Sequence, residues 1–545
     1  MKTAKENEHL RKIRDDIELF LDAQLKGQVR VVLPYNLRKS KLIAIKPNEL
    51  NNDKWLSGCY HIIHTIIQLR FDKRYANSSW SYVPLSSVIL KKILGNSYRT
   101  IFIDNLIESG IIECDGKYSI VRHESFGFRL ASRYRDKAPK KRTIIDPDIR
   151  RTILRFRIQI LVIQKSRLRE IAHLTRWLTY GKLQIDKDGA LEYLELYKRR
   201  MQLELEKRNL HAGFLQEKLS FINFRYLKAK YQVESWGEDP HISVDDAGGR
   251  LYSPVSSLMS PLRNFLTYDG EPLVSFDIKN SQPLHFLLLM QPKFWKKGTD
   301  KYSLCGLDEN LYDNIKNQER ISPFIMFHRI YESAVLARSM NPKFKLLVQN
   351  GKLYEFISEK FTGKFKTLDN IDRFNTRNKT KQEVLHLMYF NPNAMYSKAA
   401  LPFQSFSILF PREAAVMNLI KKRDYRDLPI LLQKVEAQVL LHTVCKKVYD
   451  INPDIPLITV HDSVITTSKY ADLLKTVLTD TYSGLLGFIP KFEREEFNPL
   501  NADQGRKKYV NAKIDQADIE TSPQVEPVVP ERIIKLRRFT SGKHK

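Results

Sequence analysis

Two aspartates stand where apolar runs stop. In GEPLVSFDIKNSQPLHF, Asp277 ends a strand-like run and leads into the apolar helical pattern QPLHFLLLM. In PLITVHDSVITT, Asp462 follows the apolar run Ile455–Val460 at the tip of a tight hairpin, between His461 and Ser463. A carboxylate at a strand end is ordinarily a helix cap or an ion-pair partner. Two of them, drawn from distant segments and each held on a rigid element, have a further use. They can share two divalent cations about 4 Å apart that clamp an in-line phosphoryl displacement. Hard oxygen ligands suit Mg²⁺, which keeps several waters and needs only one or two protein carboxylates beside substrate phosphates.

Between the two aspartates lies RNKTKQEVLHLMYF. Arg377, Lys381, Leu385 and Tyr389 recur every four residues, which keeps them on one broad face of a helix. Arg and Lys one turn apart can grip a triphosphate, and Tyr389 then falls near a base or sugar. The plainer alternative is an exposed basic turn followed by a core tyrosine.

These residues need a scaffold, and composition says what kind. The 545 residues suffice for roughly three domains. Hydrophobic content of 42% is ample for packed cores. Lys and Arg number 90 against 62 Asp and Glu, a net charge of +28. Such an excess repels itself in a compact state, and its usual purpose is nucleic acid or anionic membrane. No apolar run nears the ~18 residues that span a bilayer. The charged start MKTAKENEHLRKIRDDIELF lacks a signal-peptide core. Nucleic acid is therefore the expected partner, no membrane is expected, and the expected location is cytoplasmic. Cys59, Cys114, Cys305 and Cys445 are far apart, without zinc spacing, as in a reduced compartment.

Along the chain, residues 1–45 read as a helical segment followed by KGQVRVVLPYNL. Residues 46–136 contain two short amphipathic helices, SSVILKKILG and SYRTIFIDNLIESG, the second stopped by Gly110. IIECDGKYSIV then reads as strand, Asp115-Gly116 turn and strand. Two helices and a hairpin resemble a winged helix, which contacts either DNA or protein. KAPKKR at 137–142 reads as a basic linker. Long Arg- and Lys-rich helical patterns follow at about 146–178 and 189–230. Strand and helix mix from about 240, helix dominates 301–400, and the tail from 501 reads as basic and disordered.

Taken together and in this order, these segments resemble the polymerase core of family A (polymerase I-like) DNA polymerases and their relatives, the single-subunit RNA polymerases. In that superfamily motif A supplies an Asp after a strand, motif B is a helix with Arg-x3-Lys and a later Tyr, and motif C is a His-Asp hairpin. The matching residues here are Asp277, then Arg377, Lys381 and Tyr389, then His461 and Asp462. The stretch GGRLYSPVSSLMSPLRNFLTYDGEPLVSFD resembles the family's lead-in to motif A, with Arg250 as its primer–template contact. The resemblance covers about 240–495, under half the chain. It implies an α+β right-hand fold of palm, fingers and thumb behind the winged-helix-like domain. The thumb takes 137–238, the palm 239–300 and 401–500, and the fingers 301–400.

By the same resemblance, Asp277 and Asp462 bind two Mg²⁺ with the carbonyl of Ile278, and Arg377 and Lys381 hold the incoming triphosphate. Lys381 also protonates the pyrophosphate. Separately from the resemblance, the helix LLQKVEAQVLLH is expected to supply a primer–template contact through Gln433 or Gln438. No proofreading domain is expected. The activity implied is template-dependent addition of dNTPs to a primer 3′-OH, as in a phage, plasmid or mobile element.

The departures bear on sugar choice. Family A carries Glu five residues after the motif A Asp, where its bulk helps exclude the ribose 2′-OH, and the RNA polymerases have Gly. Gln282 stands here, bulky enough for a steric gate. Yet Ser281, His285-Phe286 and Thr380-Lys381 are closer to the RNA polymerases, Leu385 replaces the usual aromatic, and Phe390 replaces a Gly. An RNA polymerase or primase using rNTPs is thus one alternative. A winged-helix replication initiator with an idle polymerase-like half is another.

Overall fold

The structure is a computed structural model and describes residues 29–71, 82–117, 126–135, 137–179, 181–208, 211–237, 242–296, 300–317, 341–363, 373–391 and 401–502. The chain is of mixed helix and sheet, with two main hydrophobic cores. The helical start, the 501–545 tail beyond Ala502 and the YSIV strand lie outside the described residues.

The first core gathers residues from Val29 to Ile153. Strand β1 (Arg30–Pro34) buries Val31, Val32 and Leu33. Helix α1 (Asn52–Phe71) supplies Trp55, Leu56, Ile62 and Ile63, and Trp55 stacks on Phe102 at 5.4 Å. Helix α2 (Ser87–Leu94) is capped by Ser86 and stops at Gly95. Arg99–Asp104 and Asn105–Glu108 form the second expected helix, whose first half is wound as a π-helix. Gly110 ends it at φ +62°, a conformation that suits glycine.

A three-stranded sheet follows, in the order β2 (Val83–Pro84), β4 (Gly127–Leu130), β3 (Ile112–Cys114). Gly116 takes the left-handed turn expected of it, at φ +67°. The strand that pairs with β3 among the described residues is β4, in register Cys114↔Phe128, rather than one lying directly after the turn. The Asp115 carboxylate accepts from Gly127 N and Lys117 N and so closes the wider loop.

KAPKKR is not a linker. Pro139–Thr143 is strand β5, paired antiparallel with β1 from Arg30↔Thr143 to Pro34↔Pro139. The apolar face of β1 faces the core and β5 carries its cations outward, so a charged segment is recruited as a strand by its partner. Helix α3 (Pro147–Glu170) starts from Asp146, whose side chain caps Asp148 N and Ile149 N. A further helix spans Ala172–Thr179. Strand β6 (Leu183–Ile185) comes next, then helices α4 (Lys187–Glu206) and α5 (Ala212–Glu234). The single pattern expected over 189–230 is thus two helices that pack on each other through Tyr197, Met201, Leu205 and Ile222.

The second core surrounds an antiparallel sheet of order β11–β12–β10–β9–β6, with β13 also on β10. Ahead of it a small ribbon pairs β7 (Ser243–Val244) with β8 (Leu251–Tyr252). The sheet strands are β9 (Leu266–Tyr268), β10 (Glu271–Ile278), β11 (Ile458–Val460), β12 (Ser463–Thr467) and β13 (Phe492–Glu496). β10 is central, bonded to β9, β12 and β13. Leu273 to Phe276 are all buried, as expected of a strand covered on both faces.

At Asn280 the backbone turns left-handed, φ +56°, and enters helix α6 (Ser281–Leu289). The seven side chains from Pro283 to Leu289 are all buried, so α6 is a core helix, apolar but for His285 along that stretch. Each large apolar side chain so buried contributes about 1.5–3 kcal/mol. The remaining helices used below are α7 (Leu353–Thr362), α8 (Arg377–Tyr389), α9 (Pro411–Lys421), α10 (Asp427–Val439) and α11 (Ala471–Leu486). No helix among the described residues is long and apolar enough to cross a membrane.

Candidate active site

The two aspartates meet through the sheet. Residue 277 pairs with Ser463, so the end of β10 lies beside the β11–β12 turn. Ile278 N donates to Asp462 O at 3.4 Å, and Ser463 Oγ donates to Asp277 Oδ1 at 2.8 Å. His461 is left-handed at φ +54°, a conformation that costs a non-glycine residue about 1–3 kcal/mol. The turn is held there because both flanking strands are fully paired. Burial pushes the Asp462 carboxyl up to about 7, with repulsion from Asp277 and Glu436 adding to it and Lys381 opposing. Two carboxylates so placed repel each other until a cation enters, which is how a metal-binding pair behaves.

The cations come from α8. Thr376 caps it by accepting from Lys379 N. Its first turn holds no acid, and Arg377 stands at its first position. Positive charge there opposes the helix dipole, and an anion bound at that end offsets the conflict. Arg377 Nε donates to Glu355 Oε1 of α7 at 2.8 Å, and its guanidinium lies 5.5 Å from the Tyr354 ring. Tyr354 is buried and its hydroxyl is pushed up by burial, with Arg377 lowering and Asp462 raising it. Arg377, Tyr354, Lys381 and Asp462 therefore share one neighbourhood. Tyr389 lies about 12 Å along the helix from Lys381. It is 45% exposed, and its hydroxyl accepts from Gln433 Nε2 at 3.4 Å.

The β7–β8 ribbon completes the site. The Asp245 carboxylate accepts from the N–H groups of Ala247, Gly248 and Arg250, winding the loop tightly. A Cβ at Gly248 would stand 2.6 Å from Gln433 Cβ, an atom fixed to the helix backbone, so α10 passes too close for a side chain there without a shift. Gly249 takes φ +68°. The two glycines thus deliver Arg250 against α10, where Nε donates to Glu436 Oε1 at 2.8 Å and Nη2 makes an ion pair with the same oxygen at 2.8 Å. Tyr252, two residues on, meets His461 edge-on at 6.1 Å.

The structure thus brings together Asp277, Ile278, Asp462, His461, Lys381, Arg377, Arg250, Gln433 and Tyr389. Gln282, the second residue of α6, is half-buried, and its Oε1 has no hydrogen-bond partner among the described residues. Both polar atoms of the Asn280 side chain, buried beside it, are likewise unpartnered there. Gln438 is not brought in. Five residues after Gln433 on one helix, it points about 140° away.

Several site residues were missed in the sequence: Glu436, Ser281, Tyr252, Tyr354, Glu355 and Ser463. Glu436 had a signal, since it is a lone acid in the apolar stretch LLQKVEAQVLL, and it is only 2% exposed. Among the described residues no cluster of three or more His, Cys, Asp or Glu forms a ready metal cage. Two hard carboxylates and a strand-end carbonyl fit the sparse protein supply of Mg²⁺.

No family model matches the chain, and no curated protein matches it. Among solved structures it is similar to the "POL domain of Pol1 from M. smegmatis complex with DNA primer-template and dNTP". The likeness spans 64% of this chain and 73% of that one, at 10% identity and a TM-score of 0.36.

Proposed function

We propose that this protein is a template-dependent DNA polymerase that joins deoxynucleotides to a primer 3′-OH. The observation that carries the reading is the juxtaposition of Asp277 and Asp462 at one sheet end, with Lys381 in electrostatic contact with Asp462. Asp277, Asp462 and the Ile278 carbonyl would hold two Mg²⁺. Bound there, the ions supply activation of the attacking hydroxyl and charge stabilisation at the leaving phosphate.

The chain's own groups do the rest. Ser463 orients Asp277 by its hydrogen bond. Arg377 and Lys381 receive the triphosphate on one helix face, and Lys381 supplies a proton to the departing pyrophosphate. Tyr389 and Gln282 flank the sugar, where the unpartnered Gln282 amide gives both bulk and a hydrogen-bond acceptor. Arg250, His461 and Gln433 line the path of the primer–template. In this reading 137–238 acts as thumb, 239–300 and 401–500 as palm, and 301–400 as fingers, with β6 lent to the palm sheet. The net charge of +28 supports a polyanionic partner, bound with marked salt dependence.

One test separates this from its neighbours. Purified protein, a labelled primer–template and Mg²⁺ are incubated with dNTPs or with rNTPs, beside Asp277→Ala and Asp462→Ala. Extension with dNTPs that both variants abolish supports the reading and Gln282 as gate. Extension with rNTPs moves the protein to the RNA-synthesising branch, which Ser281, His285 and Thr380 resemble more. Extension in neither tube overturns the polymerase reading and leaves the 46–136 domain as the functional element.

A further inference from the structure

Glu436 is the third carboxylate at this sheet end, and its surroundings assign it a different duty from the other two. It is 2% exposed on α10. Its Oε1 accepts a hydrogen bond from Arg250 Nε at 2.8 Å, and Arg250 Nη2 lies in ion-pair contact with the same oxygen at 2.8 Å. Its Oε2 accepts from Ser281 Oγ at 3.2 Å. Both oxygens are engaged; burial pushes the carboxyl up, and the paired Arg250 works against that rise.

A line of fixed polarity stands behind it. A carboxylate paired with arginine only accepts, so the Ser281 hydroxyl proton points at Glu436. Ser281 Oγ, 3.4 Å from His285 Nδ1, then accepts from that nitrogen. Nδ1 carries the proton, so Nε2 accepts from Tyr482 OH at 2.9 Å. Burial drives the His285 imidazole down to about 3, which keeps it neutral as this arrangement requires. Glu436, Ser281, His285 and Tyr482 come from α10, α6 and α11, and all are buried. The line has one end in the core and the other on the Arg250 guanidinium, beside the Tyr252–His461 contact.

We propose that Glu436 is the positioning residue for Arg250, holding its planar fork toward the primer terminus, and takes no part in binding the metal ions. The inference rests on the function proposed above. Arg is suited to such a post because its fork fixes direction as well as charge. Held by its Nε hydrogen bond and the Nη2 ion pair, it leaves Nη1 to reach a nucleic acid. The Ser281–His285–Tyr482 line holds the other carboxylate oxygen, so the fork cannot swing.

The experiment is a double-mutant cycle with Glu436→Gln, Arg250→Ala and the combination, read two ways. Primer extension gives kcat, the dNTP KM and the Mg²⁺ half-saturation. Primer–template affinity by fluorescence anisotropy is taken without Mg²⁺ or nucleotide. Glu436→Gln is expected to lower kcat by about 10- to 100-fold, with dNTP KM and Mg²⁺ half-saturation unmoved. The double variant is expected to be no worse than Arg250→Ala alone. Multiplying losses, or a shift in Mg²⁺ half-saturation, would overturn the proposal, since Glu436 would then serve the metal.

Tyr482→Phe provides a check free of the ion pair, and a several-fold kcat loss with unchanged Mg²⁺ dependence is expected. If Glu436→Gln does not fold, Tyr482→Phe and Arg250→Ala carry the cycle, and additivity between them overturns the line. A wild-type protein that extends no primer defeats the polymerase reading. The cycle is then scored on anisotropy alone, where additive losses, or no binding at all, defeat this inference as well.

Discussion

The two halves of the candidate site are built by opposite means. Asp277 and Asp462 are fixed by backbone: paired strands, a left-handed His461 and a hydrogen bond from Ser463. Arg377, Lys381 and Tyr389 ride one face of α8 and are half-buried or exposed, and Arg377 is restrained by a side-chain partner, Glu355. Under the proposed function the two aspartates are metal ligands, which tolerate little displacement, whereas the α8 groups must accept and release a triphosphate and need freedom to move. Rigidity is therefore concentrated on the sheet, and the helix is tied down at its far end. Lys421 of α9, 2% exposed, donates to Leu387 O and Phe390 O at 2.6 and 3.1 Å, satisfying the last carbonyls of α8.

The contrast can be broken at several points. The largest effect is expected at the sheet, where Asp277→Asn or Asp462→Asn should cut primer extension by roughly 10⁴-fold with folding retained by circular dichroism. On the helix, Lys381→Ala and Arg377→Ala should raise the nucleotide KM by about 10- to 100-fold, the scale of one charge-assisted hydrogen bond. An equal loss at both places would erase the distinction.

Lys421 tests the anchor through pH. Burial lowers its ammonium to about 7, whereas the unfolded chain keeps the ordinary value of 10.5. Between those values the unfolded state binds more protons, so stability should rise with pH through that window and level off below about 7. Chemical denaturation at pH 7 and 9 should show a gain of a few kcal/mol. Lys421→Met should lose that slope and leave two carbonyls unsatisfied. The neutral amine keeps two N–H groups, one for each carbonyl.

The smallest effect is expected at Glu355. Glu355→Gln frees Arg377 and should lower the nucleotide KM by about two- to fivefold, as for an exposed ion pair. A rise in KM would mean that Glu355 aims Arg377 instead of restraining it.

What was legible in the sequence follows the same contrast. Asp277, His461-Asp462 and the Arg377–Tyr389 face announce themselves through short local patterns, and the elements beneath them were read correctly. Pairings between distant segments were not legible. PKKRT has no strand alternation and becomes a strand only because β1 offers a partner. Leu183–Ile185 is too short to signal, yet it joins β9. The break between α4 and α5 leaves the helical pattern nearly continuous on either side. Glu436 leaves no local pattern that ties it to Arg250, because the two lie 186 residues apart and meet only when α10 packs against the β7–β8 ribbon.

The central strand also sets a schedule for synthesis. β10 pairs with β12 and β13, so the sheet cannot close until Glu496 has left the ribosome. At about 5–20 residues per second, the stretch from Ile278 to Glu496 takes roughly 10–45 s to emerge. The first core, complete by Ile153, can fold long before that. For the interval between, Leu273 to Phe276 present an apolar edge with no strands to cover it. A chain stalled or cut anywhere in that window carries an intact N-terminal domain attached to a segment prone to aggregate.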